Sequence, residues 1–149
     1  MRSLKLKSKE KRNRQVGALV YRRTKKGIKI LIITSRGTGR WILPKGWQMP
    51  KTPDSEAARI EAWEEAGVKN QLSTPTYVGQ LRYDKTLSNN KKKLISVALY
   101  SFETDRLAKK FPEKGQRNIK WVRPQKAYKL LKQPELKPIL KKLSLDCRA

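Results

Sequence analysis

The chain contains no histidine and a single cysteine, Cys147, in 149 residues. The first absence removes histidine zinc sites, the Ser-His-Asp triad and the commonest general base. The second rules out an intrachain disulfide. Any acid–base chemistry must therefore come from carboxylates, lysine, tyrosine or water activated by a metal ion. Long apolar runs are also missing: no stretch approaches the roughly 20 apolar residues of a membrane helix. The N-terminal MRSLKLKSKEKRNR has no apolar core of the kind a signal peptide needs. No membrane association and a cytoplasmic location are expected. Acids are scarce too, with 12 Asp and Glu against 37 Lys and Arg and a net charge of +25. Such an imbalance points to polyanions, either nucleic acid or a phosphate-rich small molecule, or else to a lysine-biased proteome.

Against that scarcity, the run GWQMPKTPDSEAARIEAWEEAGV from Gly46 to Val68 gathers Glu61, Glu64 and Glu65 within one turn. At about 3.6 residues per turn, positions i, i+3 and i+4 share one helical face. Three like charges there repel and add nothing to a helix. They make sense around a hard divalent cation, since carboxylate oxygens suit magnesium or manganese. The alternative is a solvated acidic face.

The length fits one domain with a real core. Residues 1–13 read as a basic, flexible arm and 14–149 as a single domain. Val16–Arg22 and Ile28–Ser35 are β-rich runs joined by the turn Thr24-Lys25-Lys26-Gly27, which predicts a hairpin. Trp41–Leu43 is a short strand ended by Pro44. Thr52 reads as a helix N-cap and Pro53 as the first helical residue, with Gly67 as the stop. That places a helix over 53–66, with Ala57, Ala58, Ile60, Ala62 and Trp63 facing a sheet. Thr76–Lys85 and Lys93–Glu103 alternate as strands about a polar turn. Asn118–Val122 is a further strand, followed by amphipathic helices over 124–132 and 135–143. The resulting class is α/β, a mixed sheet with helices on both faces.

The Gly46–Val68 run resembles the MutT/Nudix family, whose pattern is Gly-x5-Glu-x7-Arg-Glu-U-x-Glu-Glu-x-Gly-U, with U a bulky aliphatic. Laid on Gly46 without gaps, Glu61, Glu64, Glu65, Gly67 and Val68 match. Ala62 is smaller than usual. Thr52 stands in place of the first Glu and Ile60 in place of the Arg. The approach WILPKGW also looks like the family's strand and Pro-x-Gly turn. The resemblance implies the Nudix α/β/α sandwich with a mixed sheet. It also implies Mg²⁺ or Mn²⁺ held by Glu61, Glu64 and Glu65, with the Gly46 carbonyl and a later carboxylate completing the set. Glu113 is the candidate for the latter, and Glu103 the second choice. In the family the Arg orients the adjacent catalytic Glu. Ile60 cannot do so, and Arg59 lies about 100° away around the helix. Metal binding is expected to survive these departures, while catalytic rate is in doubt.

The cations placed to hold phosphates are Arg14, Arg36, Arg40, Lys45, Lys91, Lys93 and Arg117. The pieces TSRGTGRWILPKG and RNIKWV are similar to those of the diphosphoinositol polyphosphate and dinucleoside polyphosphate hydrolases. Trp41, Trp47 or Tyr83 could stack a base, whereas Trp63 and Trp121 read as core. The expected function is metal-dependent hydrolysis of a phosphoanhydride in a nucleoside- or inositol-linked polyphosphate, with a dinucleoside polyphosphate favoured. A catalytically weakened nucleotide-binding module and an RNA 5′-pyrophosphohydrolase are the other readings, the latter resting on charge alone.

Overall fold

The computed structural model describes residues 13–148. Seven strands form one mixed sheet: β1 (Arg14–Thr24), β2 (Gly27–Thr34), β3 (Trp41–Ile42), β4 (Lys45–Trp47), β5 (Thr76–Thr86), β6 (Lys92–Glu103) and β7 (Ile119–Val122). The described helices are α1 (Asp54–Ala66), α2 (Pro124–Leu131) and α3 (Leu136–Asp146). Only Asn13 of the basic arm expected over 1–13 falls within the described residues. Its carbonyl accepts a hydrogen bond from the Ser96 N–H at 2.9 Å. Among the described residues no helix is long and apolar enough to cross a membrane.

β1 is the hinge of the architecture. One edge runs parallel to β6 from Arg14↔Ser96 to Tyr21↔Glu103. Its other edge is divided. Tyr21–Thr24 pairs with β2, closing the expected hairpin, while Gln15–Gly17 pairs with β4. β2 likewise leaves β1 after Ile30 and takes β3 at Ile33 and Thr34. The segment from Trp41 to Trp47 is thus a wedge driven between β1 and β2. Its apex is tied in place by the Ala18 N–H donating to the Pro44 carbonyl at 2.9 Å. Proline lacks an N–H and stops the β3 ladder, but its carbonyl still serves β1. The sequence pattern ends the strand at Pro44; the structure resumes it as β4.

The alternation along β1 sorts the core into two layers. Val16, Ala18 and Val20 pack with Leu31, Ile33 and Phe102 under α1. Leu19 and Tyr21 pack with Ile30, Ile32, Leu99 and the apolar faces of α2 and α3. The α/β/α sandwich follows directly.

α1 departs from the expected helix in two respects. Its buried apolar face is Ala57, Ala58, Ala62 and Ala66; Ile60 and Trp63 are only half-buried and do not face the sheet. Small side chains let the helix axis approach the sheet closely, which bulkier residues would prevent. The N-cap position is occupied by Pro53, not Thr52, because the Pro53 carbonyl accepts from the Glu56 and Ala57 N–H groups at 3.0 and 2.9 Å. The Thr52 hydroxyl turns back to the Pro50 carbonyl at 3.2 Å. The C-terminal stop is as the sequence predicts. Gly67 adopts φ 77°, and the N–H groups of Gly67 and Val68 donate to Trp63 and Ala62.

Candidate active site

Pairing of β4 with β1 puts Gly46 opposite Val16, so Gly46 faces α1. The helix meets it there with Glu61. A methyl group built on Gly46 would overlap the Glu61 carboxylate. Glycine is required at this point by close approach, not by an unusual backbone angle. One turn further, Glu65 is buried, at 4% exposure, and accepts the Lys45 N–H at 3.3 Å. Burial, and then the adjoining Glu61 carboxyl, push the Glu65 pKa up to about 9. Glu64 is also raised, by burial first and then by Glu61 and Glu113.

A second segment closes on this helix from the loop before β7. The Glu113 N–H donates to the Glu64 carbonyl at 2.9 Å, which stitches the loop to α1. Phe111 sits against Gly67, where a Cβ would meet its ring at 2.6 Å. Arg117 then lies between the segments, nearly buried. Its Nη2 is 3.0 Å from Glu113 and 3.9 Å from Glu65, and its Nη1 donates to the Thr34 carbonyl at 3.1 Å. Arg36 reaches the same cluster from outside, 3.7 Å from Glu113 and donating to Gln116 at 2.9 Å.

Glu61, Glu64, Glu65, Gly46, Glu113, Arg36 and Arg117 are therefore brought together. Lys45 points to the other face of the sheet, opposite Gly17, with its Nζ 3.7 Å from the Tyr83 ring centroid. Burial there lowers its pKa to about 8, against the opposing pull of Glu65. Arg40 is exposed on the loop before β3, its Nε donating to the Thr38 hydroxyl at 3.2 Å. Arg14 is exposed at the start of β1, where its carbonyl accepts from the Gln48 N–H at 3.4 Å. Lys91 stands on the exposed tip of the β5–β6 hairpin, and Lys93 lines a groove beside that tip. Glu103 does not join the site. It sits beside Tyr21 at the opposite end of β1 from Val16 and pairs with Arg23 at 3.3 Å.

The donor set fits a hard divalent ion. Gly46 leaves room for the Glu61 carboxylate, and its neighbours Glu64 and Glu65 are raised in pKa by burial and by Glu61, both of which a cation offsets. Among the described residues, no three acids are already gathered as a cage. The departures from the family pattern also take physical form. Arg59 is engaged by Glu56 through its Nε at 3.0 Å and turns away from Glu61. The buried guanidinium beside the helix acids comes instead from Arg117. One further contributor, Thr34, whose carbonyl accepts from Arg117 and whose hydroxyl accepts the Asn118 N–H at 2.8 Å, carries no signal in the sequence pattern; only the strand register places it.

The Nudix domain family model matches residues 11–143. Among solved structures, the C. elegans Ap4A hydrolase is similar at 23% identity, covering 89% of this chain and 96% of that one with a TM-score of 0.63. A Nudix hydrolase from Nitrosomonas europaea is similar at 17% identity, 91% and 90% coverage and a TM-score of 0.61. The MutT protein of Methanosarcina mazei follows at 21% identity, 91% and 95% coverage and a TM-score of 0.55. At such identities these likenesses speak for the fold alone. No curated protein matches the chain at a significant level. With the family model spanning nearly all of the chain, and with the glycine turn and glutamate helix meeting as described, the chain belongs to the Nudix family.

Proposed function

We propose that the protein hydrolyses a phosphoanhydride bond in a polyphosphate, with a dinucleoside polyphosphate favoured over an inositol-linked one. The observation that carries this reading is the meeting of Glu61 with Gly46 and of Glu65 with the Lys45 N–H, beside the Glu113–Arg117–Arg36 cluster. Anionic donors and cationic side chains stand side by side, which is what a charged phosphate chain on a metal requires. The scarcity of acids elsewhere and the likeness to an Ap4A hydrolase support the same reading.

Glu61, Glu64 and Glu65 would hold Mg²⁺ or Mn²⁺, with the Gly46 carbonyl and Glu113. When bound, such an ion supplies charge neutralisation at the phosphate oxygens and Lewis acidity. Arg36 is the half-free cation of the cluster and binds the phosphate chain. Arg40 on the adjoining loop, and Arg14, Lys91 and Lys93 further out, extend that positive surface, whereas Lys45, expected among them, is turned to the other face of the sheet against Tyr83. Arg117, being nearly buried, orients Glu113 and Glu65 rather than reaching into solvent. Glu61, packed on backbone and fixed in direction, takes the proton from the attacking water.

The test is turnover of dinucleoside polyphosphates, nucleoside triphosphates, inositol pyrophosphates and 5′-triphosphate RNA with and without Mg²⁺ or Mn²⁺. Glu64→Gln should abolish metal-dependent turnover with the circular dichroism spectrum unchanged. Retention of full activity in that variant would overturn the assignment.

A second reading, a nucleotide-binding module of low catalytic rate, draws support from the engagement of Arg59 by Glu56 and from the absence of a cation at Ile60. Ile60→Arg separates the two. A large gain in kcat over a feeble wild-type rate favours the module, and little change favours the hydrolase.

A further inference from the structure

We propose that the groove between the Trp47–Asp54 loop and the tip of the β5–β6 hairpin holds the base of a nucleotide whose phosphates run toward Gly46. The proposal rests on the polyphosphate reading above for the direction of the phosphates, and not for the base itself. The groove has a volume of about 850 Å³ and is walled by Trp47, Met49, Pro53 and Leu87, with Lys85 and Lys93 at its lip. Its apolar wall is exposed where folding alone would bury it. Trp47 is 41% exposed and Leu87 37%. An indole left open on a groove wall is a stacking platform for a planar ring.

The charges specify what kind of ring. Lys85 and Lys93 are register partners across β5 and β6, so their side chains project from the same face as direct neighbours. Like charges in that arrangement repel. Among the described residues neither is in a salt bridge, nor is Lys51 on the facing loop. The acid on the wall, Asp54, is already held by the Gln48 Nε2 at 3.0 and 3.1 Å. A planar wall beneath unpaired ammonium groups matches a ligand that is flat at one end and anionic at the other. The Nζ of Lys85 lies 5.2 Å from the Trp47 ring centroid. On an exposed ring that contact is weak, and a stacked base outcompetes it, releasing the ammonium to the phosphates.

Position completes the argument. Trp47 follows Gly46 directly on β4, and side chains alternate along a strand. Gly46 faces Glu61 while Trp47 faces away, beside Gln15. A ligand crossing the edge of β4 would therefore have its base on Trp47 and its phosphates at the helix acids. An inositol polyphosphate has no planar end and leaves this wall unused.

The test is equilibrium binding to the full chain in EDTA, followed by calorimetry and tryptophan fluorescence. The probes are ATP, inorganic tripolyphosphate, inositol hexakisphosphate and a short 5′-triphosphorylated RNA. ATP is expected to bind at least about ten-fold more tightly than tripolyphosphate. Trp47→Ala should remove that difference, Trp47→Phe should keep most of it, and Lys85→Met should weaken both ligands. Equal binding of ATP and tripolyphosphate by the wild type, or an unchanged preference in a folded Trp47→Ala protein, would overturn the proposal. A Trp47-dependent preference for the RNA alone, with ATP no better than tripolyphosphate, would overturn the assignment to a free nucleotide. Failure of the hydrolase reading shows separately, as absence of metal-dependent turnover, and leaves this binding difference intact.

Discussion

Arg117 and Glu113 form a two-nitrogen ion pair, with Nε at 3.3 Å and Nη2 at 3.0 Å from the same carboxylate oxygen, and the pair is packed against the helix that carries Glu65. Removing one partner of a buried pair leaves an uncompensated charge. Arg117→Met should destabilise the fold by about 3–5 kcal/mol, the range for breaking such pairs. Arg117→Lys should recover only part of that loss, since an ammonium cannot reproduce the planar fork. Urea denaturation midpoints check both, and equal stability of the two variants would contradict the geometry.

The contact of Gly46 with Glu61 makes a sharper demand. Gly46→Ala should cost about 1–3 kcal/mol through overpacking and displace Glu61. In a Glu61→Ala background the same change should cost much less, because the atoms it strikes are gone. A double-mutant cycle by thermal denaturation measures the coupling. Additivity of the two changes would show that the contact does not shape the site.

Glu65 couples stability to pH. Burial and Glu61 raise its folded pKa from 4.5 to about 9. An acid with a raised folded pKa binds more protons folded than unfolded. Its contribution is fully present below the unfolded value and is lost as pH rises through the folded one. Lys45, lowered to about 8, works in the opposite sense above that pH. The midpoint of the metal-free protein should therefore fall between about pH 5 and pH 8. Glu65→Gln should flatten this slope, and added Mg²⁺ should stabilise most at the upper end. Identical slopes for wild type and Glu65→Gln would remove Glu65 as the cause.

Gly67 ends α1 in the left-handed region and leaves space for Phe111. Gly67→Ala should destabilise by about 1–3 kcal/mol from backbone strain, with the ring contact adding to it. The damage should extend along the loop to the Glu113 amide that binds the Glu64 carbonyl. Hydrogen exchange at Glu113 reports it; protection equal to wild type would show the loop to be independent of the helix end.

Much of this was legible because local chemistry dictated it. Glu61, Glu64 and Glu65 announce themselves by spacing, and Gly67 by the left-handed stop that a helix needs. The order of strands and helices predicts a mixed sheet with helices on both faces, and a core layer lies on each side of it. What was not legible depends on contacts distant in sequence. Pro53 displaces Thr52 at the N-cap because the carbonyl that accepts the first helical bonds is set by the turn from Met49, not by side-chain preference. Ile60 and Trp63 read as core by hydropathy, yet the sheet accepts only the alanine face. Arg117 reads as a phosphate-holding cation by its place beside Glu113, and only the closing of sheet and loop around it shows it engaged by Glu113, Glu65 and the Thr34 carbonyl. The resumption of β4 after Pro44 appears only when the divided edge of β1 is seen.

The wedge between β1 and β2 has a consequence for how the protein fails. The glycine that meets the glutamate helix is a rung of the central ladder, hydrogen-bonded into β1, whose opposite edge carries β6. Nothing on that side of the site can open without parting the innermost strands. Local breathing, which in many enzymes loosens a loop-borne site well before the fold gives way, has no separate hinge here. On that side, parting of the glycine from the glutamate helix and global unfolding then become one cooperative event, while the Glu113 loop is the part of the site free to loosen with the sheet intact.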